Sequence, residues 1–193
     1  MEQEEFLWKL LRDREKRVYR QQALTELYQA SLLCLRVNCP GGQKNTEETR
    51  WISALLDQRV REELGESILY REAETTAEGP VVLYCLGVEA TEVKLASIEI
   101  EETHPLGRLV DLDVYDQHGR ALHRRDFGSN ARKCFLCSRD AKICAREENH
   151  SQKELLDYMR EKLRRYLEAR REEESLENHH TSIGAGYTKT ASQ

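Results

Sequence analysis

The sequence predicts a mixed α/β domain: a central antiparallel or mixed sheet flanked by helices, including a long C-terminal one. Three observations carry this. Short apolar runs such as residues 31–37 and 81–86 have the length and continuity of buried strands. Charged segments with apolar residues at helical spacing surround them, and a capping sequence at Ser151 introduces a last, strongly periodic stretch. At 193 residues the chain can bury one core, so residues 1–171 are expected to form a single domain and 172–193 a polar, disordered tail.

The elements follow in order. Phe6, Leu7, Leu10, Leu11 and Val18 recur at helical spacing and predict an amphipathic opening helix, with a second helical stretch around Leu24, Leu27 and Tyr28. Ser31-Leu-Leu-Cys-Leu-Arg-Val37 reads as a buried strand running into the turn Asn38-Cys39-Pro40-Gly41-Gly42. Trp51, Ile52, Leu55, Leu56, Val60 and Leu64 favour one helical face from Thr46 onward, with Gly65 as the expected stop. Residues 67–73 and 81–86 read as a hairpin. The apolar residues of 90–103 fit neither period cleanly, and the absence of Gly and Pro tilts that segment to helix. Residues 109–115 and 120–124 flank Asp116-Gln-His-Gly119 as a second strand pair. Ser151-Gln-Lys-Glu154 has the form of a capping box ahead of Leu155, Leu156, Met159, Leu163 and Leu167.

Composition narrows the function classes. The first residues are acidic where a secretory signal is basic, and no apolar run approaches the roughly 20 residues that span a bilayer. A cytoplasmic protein is expected, with its six cysteines reduced or metal-bound rather than in disulfides. A net charge of −5 argues against general nucleic-acid binding. A basic stretch from Arg120 to Arg146 nevertheless suits a polyanionic ligand.

The sharpest chemical feature is His104-Pro-Leu-Gly-Arg-Leu-Val-Asp111-Leu-Asp113-Val114. In a strand, Asp111 and Asp113 share one face with backbones roughly 6.5 Å apart, so both carboxylates can meet one cation. Unpaired, they would repel by about 2 to 3 kcal/mol at an effective dielectric near 20, which a magnesium ion would relieve. Gly107 lets backbone approach a phosphate, and Asp126 and Glu102 are candidates for a third carboxylate. The turn at Asn38, Gly41 and Gly42 exposes N–H groups beside Lys44, although Gly and Pro there also serve as plain turn punctuation. Cys134-x2-Cys137-x6-Cys144-x5-His150 opens like a zinc knuckle, and the same residues also suit small core positions.

Taken together, Asn38-Cys-Pro-Gly-Gly-x-Lys44, the His104–Val114 segment, Arg124-Arg-Asp126 and Arg132-x-Cys-x-Leu-Cys-x3-Ala-x2-Cys-Ala-Arg146-x3-His150 resemble the CitX family. These are the citrate lyase holo-acyl-carrier-protein synthases. The likeness runs from about Arg17 to the final helix and departs at Cys39 and at Gly42-Gln43. It implies a nucleotidyltransferase-like catalytic domain that moves the phosphoribosyl-dephospho-CoA group of triphosphoribosyl-dephospho-CoA to a serine of the citrate lyase acyl-carrier subunit, releasing diphosphate. On this resemblance Asp111 and Asp113 are catalytic and hold Mg2+. Asn38, Gly41, Gly42, Lys44, Gly107, Arg108, Arg124, Arg125, Arg132 and Arg146 contact phosphate. Two rival readings are a transferase for the malonate decarboxylase carrier and a non-catalytic binding module stabilised by Zn2+ at Cys134, Cys137, Cys144 and His150.

Overall fold

Strand β1 (Ser31–Val37) is the axis of the molecule. It pairs antiparallel with β3 (Gly79–Leu86) on one side and with β4 (Val110–Tyr115) on the other. Strands β2 (Ile68–Thr76) and β5 (Ala121–Leu122) complete the order β2-β3-β1-β4-β5. All pairings are antiparallel, as one branch of the expectation has it. The computed structural model describes residues 2–184, with side chains over 4–175.

Both faces of β1 are covered, which is why it reads as an almost unbroken apolar run rather than an alternating one. Leu33, Leu35, Tyr84, Leu86, Leu112 and Val114 form the main core. Against them pack α2 (Glu47–Leu64), α3 (Ala90–Thr103) and α5 (Gln152–Gly184) through Ile52, Leu56, Val93, Ile100, Met159 and Leu163. On the opposite face Leu32, Cys34, Leu83 and Cys85 meet Leu24 of α1 (Glu2–Tyr28).

Helix α1 is continuous where two stretches were expected, and its predicted apolar face is largely turned to solvent. Leu7, Leu11 and Val18 are exposed, and of that set Leu10 is buried. The buried row is Leu10, Asp13, Gln21, Leu24 and Thr25, polar where the helix meets the β2–β3 turn at Ala77 and Glu78 and apolar where Leu24 meets the sheet. Asp13 accepts from Ala77 N at 2.9 Å, and Arg17 donates to Glu78 at 3.0 Å.

In α2, Thr46 and Thr49 cap each other reciprocally, at 3.2 and 2.9 Å. Gly65 does not stop the helix in a left-handed conformation; at φ −55° it leads into a short 3-10 turn over Gly65–Ser67. The ambiguous segment is helix α3, as expected. Its pattern is irregular because Lys94, Ser97 and Glu101 occupy buried positions that apolar residues usually hold. The expected strand 120–124 shrinks to Ala121–Leu122, since residues 124–127 form a 3-10 turn closed by Gly128 at φ +74°. A short helix, α4 (Ala141–Arg146), was not anticipated; Asp140 caps it through Lys142 N at 2.8 Å. The Ser151 capping box is present, with Glu154 accepting from Ser151 N at 2.8 Å and Glu154 N donating to Ser151 Oγ at 3.2 Å. Helix α5 continues past Arg171 to Gly184, and the expectation for residues 185–193 lies outside the described residues. No helix among the described residues is long and apolar enough to cross a membrane.

Candidate active site and metal centre

Register places Arg36 of β1 opposite Asp111 and Cys34 opposite Asp113, so the two aspartates stand on the same sheet face as Arg36. The burial of β4 alternates accordingly: Val110, Leu112 and Val114 are buried, while Asp111 and Asp113 are half-exposed. The two carboxylates do not face each other bare. Arg36 Nη2 donates to Asp113 Oδ2 at 2.6 Å, and Arg132 donates to Asp111 Oδ1. Guanidinium groups therefore offset the repulsion anticipated from the sequence without a cation.

Among the described residues the far edge of β4 has no strand partner from Val110 to Asp113, and α3 closes it. Glu101 accepts from Leu112 N at 2.9 Å, and Lys94 Nζ donates to Leu112 O at 3.2 Å. Arg132 Nη2 donates to Val110 O at 2.6 Å and lies 3.2 Å from Glu101. Arg124 joins the same carboxylate at 3.2 Å and Glu102 at 3.3 Å. Burial pushes the Glu101 carboxyl up, while Arg132, the Leu112 N–H, Lys94 and Arg124 pull it back. Asp126 is engaged elsewhere, accepting from His123 N at 3.3 Å within its own turn. The acidic residue woven into the site is thus Glu101, which the sequence reading missed.

Asn38 N donates to Leu109 O at 2.8 Å, which sets the Asn38–Lys44 turn at the same end of the sheet as Gly107, Arg108 and Asp111. Gly41 adopts φ +80°, and Gly41 and Gly42 are exposed. Lys44, however, is folded inward: its Nζ donates to Cys39 O, and burial lowers its pKa. Gly107 is required by close approach, since a Cβ there would lie 2.3 Å from Ile100 O. Arg108 donates to Lys133 O, while Arg125 and Arg146 are exposed. The site therefore unites Asp111, Asp113, Gly107, Arg108, Arg124 and Arg132, with the glycine turn beside them.

Arg36 and Glu101, which pair with members of that set, carried faint signals. Arg36 is the charged residue in an otherwise apolar strand, and Glu101 ends a Lys94–Ser97–Glu101 row at helical spacing. A cavity of about 360 Å³ between α1 and β2–β3, lined by Arg17, Arg20, Glu72 and Glu78, includes no residue of β4.

The Cys/His constellation is assembled. The ligand atoms of Cys134, Cys137, Cys144 and His150 all lie within 4.8 Å of one another. Cys137 and Cys144 sulfurs are 3.9 Å apart, close to the roughly 3.8 Å edge of a tetrahedron with metal–sulfur bonds of about 2.3 Å. That separation is far too long for a disulfide, and all six cysteines are free. His150 Nε2 is buried without a hydrogen-bond partner, as a ligand nitrogen awaiting a metal would be. Burial opposes ionisation of Cys134, but contacts from Leu136 N, Cys144 and Cys137 outweigh it and lower the thiol's pKa. The cluster can hold a structural metal.

The antiparallel sheet carries paired carboxylates amid arginines, a charge set whose chemistry suits a phosphate-bearing ligand and its cation. Residues 6–166 match the family described as apo-citrate lyase phosphoribosyl-dephospho-CoA transferase. Proteins of that name from Shigella flexneri serotype 5b and Escherichia coli O1:K1 are each 37% identical over 155 residues, covering 78% of this chain and 84% of theirs. One from Shigella boydii serotype 18 is 36% identical over the same length. The chain belongs to the apo-citrate lyase phosphoribosyl-dephospho-CoA transferase family and is a transferase.

Proposed function

We propose that the protein transfers the phosphoribosyl-dephospho-CoA group from its triphosphoribosyl precursor to a serine of the acyl-carrier subunit of citrate lyase, in the cytoplasm, with diphosphate as the other product. The observation that carries this is the pairing of Asp111 and Asp113 with Arg132 and Arg36, in a chain of this family.

In this reading the serine Oγ attacks the phosphorus next to the ribose. The bond from that phosphorus to the diphosphate oxygen breaks, and the serine proton passes to an aspartate carboxylate. Asp111 and Asp113 would hold Mg2+, whose preference for hard oxygen donors two carboxylates suit, and it would supply positive charge against the transferring and leaving oxygens. Arg36 pairs with Asp113 in the free protein and turns toward the phosphates when substrate arrives, while Arg132 stays on Asp111 and Glu101 and holds them in place. Arg108, Arg125 and Arg146, with the N–H groups at Asn38, Gly41 and Gly42, supply further phosphate contacts. Arg124 serves through Glu101, and Lys44 braces its turn. Cys134, Cys137, Cys144 and His150 would hold Zn2+, since thiolate and imidazole ligands favour it over magnesium.

The test is intact-mass analysis of the apo-carrier subunit after incubation with the protein, magnesium and the triphosphoribosyl precursor. The carrier is expected to gain the mass of the prosthetic group, and the gain to vanish with Asp111→Asn/Asp113→Asn or on chelation of magnesium. An unmodified citrate lyase carrier beside a modified malonate decarboxylase carrier would transfer the reading to that partner. If neither carrier gains mass, the proposed substrate is wrong.

A further inference from the structure

The segment from Ser129 to His150 has little of its own to hold it in shape. Cys144 is buried and Phe135 stacks on Tyr158 at 5.6 Å, but Leu136 and Ile143 are 38% and 51% exposed. Its internal backbone bonds are few, among them Cys134 N to Arg139 O and Ala141 N to Arg132 O, both 2.8 Å, and the bridge between Lys133 and Asp140. A loop this short with so little apolar burial needs a staple, and the four gathered ligand atoms provide the place for one.

Arg132 is built into that loop at its backbone and into the transfer site at its side chain. Its carbonyl accepts from Ala141 N, the first residue of the helix that carries Cys144, and Cys134 follows two positions later. Its guanidinium meets Asp111, Val110 O and Glu101. The next residue, Lys133, offers its carbonyl to Arg108. The Cys/His loop thus carries the backbone of Arg132 and supplies the carbonyl that holds the Arg108 side chain, so both arginines beside the start of β4 depend on it.

We propose that the metal ion in the Cys134/Cys137/Cys144/His150 centre positions the transfer site: it fixes the loop that presses Arg132 onto Asp111 and Glu101 and anchors Arg108. Loss of the ion releases both arginines while the sheet and its helices stay folded, because the main core draws only Phe135 from this loop. The inference rests on the reading that the centre holds zinc and that Asp111 serves transfer. Arg132 acts here as a positioning residue, through Asp111 and Glu101.

The experiment uses the full chain as purified. Metal content is measured first, then hydrogen exchange and transfer are followed before and after zinc is stripped with a chelator and after it is restored. One zinc per chain is expected. Stripping should leave the helical circular dichroism intact, speed exchange in residues 129–150 and at Asp111 and Leu112, and slow transfer by about 100-fold through misplacement alone. Returning zinc should reverse the changes in exchange and in transfer.

Cys137→Ser, Arg132→Ala and their double variant then separate positioning from simple stabilisation. If the metal acts through Arg132, the double variant is no slower than the slower single one. Multiplying losses overturn the proposal, as does unchanged exchange at Asp111 and Leu112 in the stripped protein. A purified protein that binds no zinc overturns both this inference and the zinc reading. Should Cys137→Ser fail to fold, stripped wild-type and Arg132→Ala proteins carry the same comparison. Exchange decides the coupling even where no carrier is modified.

Discussion

Asp57 shows how much a single carboxylate organises away from the site. It is almost buried and accepts Arg71 Nε at 2.7 Å, Arg71 Nη2 at 2.8 Å and the fully buried Tyr84 hydroxyl at 2.5 Å. Burial opposes its ionisation, yet the hydrogen bonds from Arg71 and Tyr84 outweigh it and hold its pKa below the usual range. Asp57→Asn should lower stability by about 3 kcal/mol, measured by urea unfolding at neutral pH. A depressed pKa contributes stability above the unfolded value, about 4, and that contribution fades as pH falls through the lower folded value. The gap between wild type and Asp57→Asn should therefore narrow in acid; a gap that widens would contradict the pairing. Gly107 acts sterically. An added Cβ would meet Ile100 O at 2.3 Å and Glu101 O at 2.8 Å, both backbone. Gly107→Ala should cost roughly 1 to 3 kcal/mol in thermal unfolding and slow transfer, since the same shift displaces the start of β4.

Among the elements, α3 does the most to build the site. Its Lys94 and Glu101 satisfy Leu112 on an edge where no strand pairs, and its last turn leads directly into the Gly107 approach. Glu101→Gln leaves an acceptor for Leu112 N but weakens the hold on Arg124 and Arg132, so it should lower stability by about 2 kcal/mol and impair transfer. Denaturant unfolding beside the mass assay checks both. Thr46→Ala removes one arm of the α2 capping box and should lower the melting temperature by the equivalent of about 1 kcal/mol, and an unchanged melting temperature would deny the cap a role. The sequence made the Ser151 capping box and most strand positions readable, because a local hydrogen-bonding pattern and apolar runs or alternations leave local signals. It hid the polar stripe of α3 and the inward row of α1. There, buried charges stand at positions whose partners lie on distant segments, and no periodicity reports those partners.

At the scale of the molecule, β1 joins strands that lie far apart in sequence, pairing residues 31–36 with 81–86 and 32–37 with 110–115. Its amides sit between two cores and should exchange only through global unfolding, more slowly than those of any other element. Residues 129–150, with their sparse burial, should open first. Hydrogen exchange on the intact chain checks this order, and early exchange in β1 would contradict the architecture. The outer edge of β4 at Leu112 falls between these extremes, held by side chains rather than by a neighbouring strand.

From residues alone came the α/β class, the buried strand at residues 31–37, the paired aspartates on one face, the Cys/His quartet and the family resemblance. Each depends on local order: alternation in a strand, spacing of ligands, or a string of motifs along the chain. Only the tertiary structure decided that Arg36 and Arg132 meet those aspartates, that Glu101 is the buried carboxylate of the site, and that Lys44 turns inward. Those facts depend on strand register and helix docking, which bring residues 36, 101, 111 and 132 together. The physical reason is that an ion pair across 21 or 77 positions leaves no trace in either residue's neighbourhood.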